Sequence, residues 1–199
     1  MTRKSLIQSI STIKKLRLLQ VFTSAEAERF GLSRASLSRM AKQDELIRLA
    51  SGVYCFSDQE LEGRDRDYNV ACLRCGKDSI IGGMTALFHY GLIEEVPNHI
   101  WLMVSKTTRS PAPLYRVIRT AHDPKVGVIS FQRYSIATIE RAILEGLSYA
   151  SKIGEEIAIS AARKALRSGD VDRKKLYAIA KKMKLVKTIE KYWGAISSQ

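Results

Sequence analysis

Between positions 33 and 42 the chain carries three hydroxyls, Ser33, Ser36 and Ser38, and three cations, Arg34, Arg39 and Lys42. At 100° per residue, Leu37, Met40 and Ala41 fall on one side of a helix, while Ala35, Ser38, Arg39 and Lys42 fall on the other. The chemistry such a face can do is recognition rather than bond-making. Short side chains let a helix approach a nucleic acid closely, and Arg and Lys then reach base edges or phosphates. Arg39 and Lys42 are the candidates for groove contact, and Ser33, Ser36 and Arg48 for phosphate. Charged helix faces are most often just solvated, so the assignment rests on what flanks this one.

Upstream, Thr23-Ser24-Ala25-Glu26 is a capping-box pattern that starts a short helix at about Ser24. Gly31 stands just past Phe30, where a left-handed residue ends such a helix, and Ser33 is placed to cap the next, from Arg34 to about Lys42. Two short helices joined by a three-residue turn make a helix-turn-helix. Downstream, Leu46-Ile47-Arg48-Leu49 and Val53-Tyr54-Cys55-Phe56 are strand-like runs separated by Ala50-Ser51-Gly52. The whole is a winged helix, with Arg48 and Ser51 of the wing beside the phosphate backbone. The preceding segment reads as an amphipathic helix with Ile7, Ile10, Ile13, Leu16 and Leu19 on one face, whose Lys14, Lys15 and Arg17 either extend the footprint or simply face water.

The totals agree with a polyanionic partner. In 199 residues, 33 Lys and Arg face 20 Asp and Glu, a net charge of +13, and a chain this basic commonly meets nucleic acid or an acidic surface. The excess is uneven: ten basic against five acidic residues over 1–58, ten against eight over 59–134, and thirteen against seven over 135–199. No stretch approaches the roughly 20 apolar residues that span a bilayer, and polar residues interrupt any leader-like run, so a cytoplasmic location is expected. Three cysteines fit free thiols in a reducing compartment.

A charged run from Asp58 to Arg66 reads as a linker, which divides the chain into a winged-helix domain at 1–58 and a mixed domain at 59–199. In the latter, Tyr68, Ala71, Cys72 and Cys75 form a helical stripe that stops at Gly76, and a helix follows from about Met84 to Tyr90, closed by Gly91. Strand-like runs at His99 to Val104, Leu114 to Thr120 and Val126 to Tyr134 imply a sheet over about 99–134, with turns at Thr107 to Pro113 and Ala121 to Lys125. From Ser135 onward the pattern is helical. Ile139, Ala142, Ile143 and Leu147 mark one helix, and Ile157, Ala161, Ala165 and Leu166 another, ending near Gly169. Leu176, Ile179, Ala180 and Met183 line a third, capped by Asp170 or Asp172, and Val186, Ile189 and Trp193 a fourth. The fold class expected is α+β: a winged helix, a small sheet, and a helical part over about 135–199.

Bond-making chemistry finds little support. Cys72 and Cys75 form a single CxxC, and only Cys55 and His89 are conceivable further ligands, whereas a structural zinc site needs four. His89, His99 and His122 show no ligand spacing, and no Ser or Cys sits in a nucleophile motif. Asp65 and Asp67 are a carboxylate pair, but a nucleotidyltransferase needs a Gly-Ser or Gly-Thr turn ahead of that pair; Gly82-Gly83 comes after it and leads into Met84. No catalytic residue, metal or cofactor is expected, and the chain is not expected to be an enzyme.

Residues 20–57 resemble the amino-terminal winged helix of the AbiEi family of antitoxins from type IV toxin–antitoxin systems. The resemblance is carried by the Thr23 to Phe30 helix, Gly31-Leu32-Ser33, Leu37 with Arg39 and Met40, Leu46 to Leu49, and Gly52-Val53-Tyr54. It continues through Gly83-Met84-Thr85-Ala86-Leu87 with Tyr90-Gly91-Leu92, and through residues 137–147, where Glu140-Arg141 opens an apolar helix. There the chain departs from the family pattern: Glu145 stands where Asp is frequent, and Ile139 where Pro or a related residue is usual. The resemblance implies a bacterial repressor that binds its own operator in double-stranded DNA. It also implies an antitoxin domain over 59–199 that counteracts a nucleotidyltransferase-like toxin. A second reading makes the chain an interaction protein, with RNA or an acidic protein held by the basic run at 173–193.

Overall fold

The computed structural model describes residues 3–59, 63–76, 78–108 and 114–197. It is an α+β chain whose two compact units are Met1–Arg74 and Cys75–Gln199.

The first unit runs α1 (Arg3–Leu19), β1 (Val21–Thr23), α2 (Ser24–Arg29), α3 (Arg34–Lys42), β2 (Leu46–Ala50), β3 (Val53–Phe56) and α4 (Gly63–Cys75). The three strands form an antiparallel sheet in the order β1-β3-β2, with Phe22 opposite Tyr54 and Leu46 opposite Phe56. Strand side chains alternate between faces, and each face of this sheet has its own core. Phe22, Leu46 and Phe56 pack with Leu16, Ala27, Leu37 and Met40 of the helices. On the reverse face Val21 and Val53 pack with Val70, and Leu49 and Leu73 border them. Ile13 and Leu19 of α1 join the first cluster as expected; the side chains of Ile7 and Ile10 lie outside the described residues.

That reverse-face cluster explains where the unit ends. The charged run ahead of Tyr68 was expected to be a linker, with the first domain closing at 58. Instead α4 begins at Gly63, within that run, and covers the back of the wing, so the first unit extends to Arg74. The expected stripe is present, with Tyr68, Ala71, Cys72 and Cys75 all buried. Residues 60–62 of the expected linker lie outside the described residues.

The second unit contains β4 (Ile80–Ile81), α5 (Gly83–His89), β5 (Ile100–Val104), β6 (Tyr115–Arg119), β7 (Val128–Ser130), β8 (Ser135–Ala137), α6 (Ile139–Ser148), α7 (Ala150–Ile153), α8 (Glu155–Ser168), α9 (Arg173–Met183) and α10 (Val186–Ser197). Among the described residues its sheet has five strands in the order β6-β5-β4-β8-β7, with β5–β6 and β4–β8 parallel. Ser135–Ala137, expected to begin a helix, is therefore a strand, paired through Ile136 with Ile81 on one side and Ile129 on the other. The helix starts after Thr138, whose hydroxyl accepts from the Arg141 N–H. Residues 109–113 of the expected turn lie outside the described residues.

Helix α6 is the centre of this unit and meets α5, α8, α9 and α10. Arg141 and Glu145 on it are fully buried and paired, Nε to Oε1 at 2.7 Å. Burial of an ion pair is costly unless the remaining polar capacity is met, and here it is met except at Arg141 Nη2, which has no hydrogen-bond partner among the described residues. Glu145 Oε2 accepts from the Gly83 N–H at 3.0 Å, and Arg141 Nη1 donates to the carbonyls of Asp123 (3.1 Å) and Val126 (2.7 Å). A Cβ at Gly82 would collide with the Glu145 carboxylate and meet Met103 Cγ at 2.7 Å, so the backbone must be bare there.

The last helices follow the expected faces, with Leu176, Ala180, Met183 and Ile189 buried. Asp172 occupies the N-cap of α9 without a side-chain capping bond, and Asp170 accepts instead from the Ser168 hydroxyl. No helix among the described residues is long and apolar enough to cross a membrane.

Candidate nucleic-acid interface

The helix-turn-helix is built by local signals. Thr23 Oγ1 accepts from the Glu26 N–H at 3.2 Å, and Glu26 Oε2 accepts in return from the Thr23 N–H at 2.8 Å, which closes the capping box on α2. Gly31, at φ 90, takes the left-handed turn that no β-carbon favours. Ser33 then caps α3 by accepting from the Ser36 N–H at 3.1 Å. Leu37 and Met40 anchor α3 in the core, 1% and 8% exposed, so the rotation of the helix about its axis is fixed.

With that rotation fixed, Arg34, Ala35, Ser38, Arg39 and Lys42 face solvent. The eight candidate residues are not equally available. Ser33 and Ser36 hold each other at 3.0 Å between hydroxyl oxygens, and because two hydroxyls share one bond, one proton remains to donate outward. Arg34 Nε is ion-paired with Glu28 Oε1 of α2 at 2.8 Å. Neither Arg39 nor Lys42 has an ion-pair partner among the described residues. Arg48 and Ser51 are exposed on the wing, with Arg48 opposite Tyr54 on the helix side of the sheet.

Two features of this surface carry no signal in residue spacing. The first is Glu28, which tethers Arg34 from the neighbouring helix. The second is the contact that fixes the wing: the Ser24 N–H at the start of α2 donates to the Gly52 carbonyl at 2.9 Å. Arg17, one of the three α1 cations, is engaged within the domain, its guanidinium 4.3 Å over the Phe56 ring and bonded to both Asp58 carboxylate oxygens. Behind the wing, burial pushes the Cys55 thiol pKa up, opposed by the Arg66 guanidinium, which keeps this thiol neutral and unreactive.

In the second unit, a cavity of about 330 Å³ is lined by residues that include Lys106, Thr120, His122 and Arg141. Among the described residues no cluster of three or more His, Cys, Asp or Glu could hold a metal ion. Asp65 and Asp67 stand on the first turns of α4.

Sheet order, helix-turn-helix and wing define the first unit as a winged helix. Residues 13–57 match the family model described as Transcriptional regulator, AbiEi antitoxin, which covers the helix-turn-helix and both wing strands. The family resemblance is thus shown over that segment, and the family is one of transcriptional regulators and antitoxins. No curated protein matches the sequence. Among solved structures, the chain is similar to the RV2827C protein from Mycobacterium tuberculosis, with a TM-score of 0.57 at 12% identity, covering 98% of this chain and 77% of that one. At that identity the likeness speaks to the fold, which extends across both units.

Proposed function

We propose that the chain is a DNA-binding antitoxin that represses its own operon, with α3 in the major groove of the operator and the second unit counteracting a nucleotidyltransferase-like toxin. The observation that carries the DNA reading is the solvent face of α3. Ser38, Arg39 and Lys42 are exposed on a helix whose orientation is fixed by Leu37 and Met40. Cations without carboxylate partners among the described residues, held on a helix of fixed orientation, suit base edges and phosphates. The free proton of the Ser33–Ser36 pair and the first N–H groups of α3 suit one phosphate at its N-terminus, and Arg48 suits another.

Binding of the full chain to the DNA upstream of its own gene should weaken steeply with salt, by a slope of about −0.9 per phosphate neutralised in log K against log salt. An Arg39→Ala, Lys42→Ala double variant should lose at least tenfold in affinity, at about 1–3 kcal/mol for a good base contact. Unchanged binding would remove the groove assignment. The toxin-directed role is supported by the family description alone. It is tested by co-expression with the product of the adjacent gene, where relief of growth arrest is expected.

A second reading is favoured by one observation. Lys174, Lys175, Lys181, Lys182 and Lys187 are all exposed on α9 and α10, a surface suited to RNA or an acidic protein. Retention of duplex binding after their joint replacement by Gln would separate that surface from the DNA contact.

A further inference from the structure

The wing of this domain has no reach. Its turn is two residues, Ser51 and Gly52, between Ala50 and Val53, which pair directly. On the other side Val53 pairs with Thr23, the last residue of β1, and the very next residue, Ser24, donates its N–H to the Gly52 carbonyl at 2.9 Å. The hairpin therefore ends level with the first turn of α2 instead of projecting past it. The spacing is close, since a Cβ on Gly52 would stand 3.3 Å from Ser24 Oγ, and Gly52 itself is left-handed at φ 73. The tip carries only Ala50, Ser51 and Gly52, and Arg48, the one cation of the two wing strands, lies behind them on β2.

To read bases through the minor groove, a wing must send a long side chain between phosphate ridges into a slot about 6 Å wide and 7.5 Å deep. A tip tied to the body of the domain, bearing one hydroxymethyl group at most, cannot do this. What it can offer is the Ser51 hydroxyl and the Arg48 guanidinium to the outside of a phosphate backbone, which positions a protein without carrying sequence information.

We infer that this domain discriminates between base pairs through the major-groove face of α3 alone, with the wing acting as a phosphate clamp that stays outside the minor groove. The inference rests on the DNA-binding reading and adds the division of labour between the two elements. Arg48 and Ser51 set affinity and register, whereas Ala35, Ser38, Arg39 and Lys42 set preference.

The test uses the full chain and a duplex selected by it from a randomised pool. Inosine in place of guanine removes, and diaminopurine in place of adenine adds, an amino group in the minor groove, and both leave the major-groove edge unchanged. These duplexes should bind within about twofold of the parent. Replacing guanine by 7-deazaguanine, which deletes a major-groove acceptor, should weaken binding at least fivefold at one or more positions, the lower end of a base contact's worth. Repeating the selection with Arg48→Ala should return the same preferred sequence at lower affinity, with the salt slope smaller by about one. A loss above fivefold on inosine or diaminopurine substitution, or a changed preferred sequence for Arg48→Ala, would overturn the inference while leaving DNA binding in place. Enrichment of no duplex at all would overturn the DNA reading and this inference with it.

Discussion

Arg34 Nε of the recognition helix lies 2.8 Å from Glu28 Oε1 of the helix before it, with the two side chains 76% and 41% exposed. The pair bridges the turn of the helix-turn-helix at the surface where DNA is proposed to bind. Exposed pairs of this kind contribute at most about 1 kcal/mol, so their effect on the fold is small and their effect on charge is not. Glu28→Gln is expected to leave the denaturation midpoint nearly unchanged. Duplex affinity should rise, because a carboxylate leaves the interface and Arg34 is released to a phosphate. Fluorescence anisotropy on a labelled duplex at two salt concentrations checks both the rise and its steeper salt dependence.

The extent of the first unit predicts how the chain can be cut. A fragment ending at residue 58 loses Val70 and Leu73, which cover Val21 and Val53 on the back of the wing. Burying one such side chain is worth roughly 1.5–3 kcal/mol, so a 1–58 fragment should be several kcal/mol less stable than 1–74 and expose an apolar sheet face. Chemical denaturation followed by circular dichroism should show a cooperative transition for 1–74 and a weak or absent one for 1–58.

Sequence reasoning succeeded where the signal is local. Thr23 and Glu26 reach each other within one helical turn, Ser33 caps the residue three positions on, and the rotation of α3 follows from Leu37 and Met40. It failed where structure depends on distant partners. Ser135–Ala137 is a strand because Ile81 and Ile129 lie on either side of Ile136, and nothing within three residues announces those neighbours. The two-residue strand Ile80–Ile81 has the same origin. The first turn of α4 is charged and solvent-facing, so its helical state shows only through the apolar residues that begin at Tyr68. Of the candidate interface, the identities of the exposed residues were legible. The engagement of Arg34 by Glu28, and the tie between Ser24 and Gly52, were not, since both depend on how separate elements meet.

In the second unit the expected weak point is the buried pair on α6. Glu145→Gln leaves the Arg141 guanidinium in a buried site without a counter-charge and should destabilise the unit by about 3–5 kcal/mol. Glu145→Asp keeps the charge on a stem one methylene shorter and should cost less. Urea titration of the full chain gives the ranking, and a Gln variant as stable as the parent would contradict the role assigned to the pair.

His122 makes one contribution to the pH dependence of this unit. Burial, and then the Arg141 guanidinium, lower its pKa, with Glu145 and a hydrogen bond to the Met183 backbone acting in the opposite sense. Protonation is thus harder in the folded state than in the unfolded chain. The corresponding stability is fully present above the unfolded value of about 6.5 and is lost as pH falls through the lower folded value. His122→Gln should flatten the fall in denaturation midpoint between about pH 7 and pH 5, while leaving the midpoint at higher pH less affected.

The wing pinned by Ser24 and Gly52 has a consequence for how such a chain changes over time. If preference resides in Ala35, Ser38, Arg39 and Lys42, it resides in four positions that pack against nothing in the core. Duplicated copies of the gene can then drift to new targets by surface substitutions that leave folding untouched, and two paralogues in one cell can become insulated from each other without altering the scaffold they share.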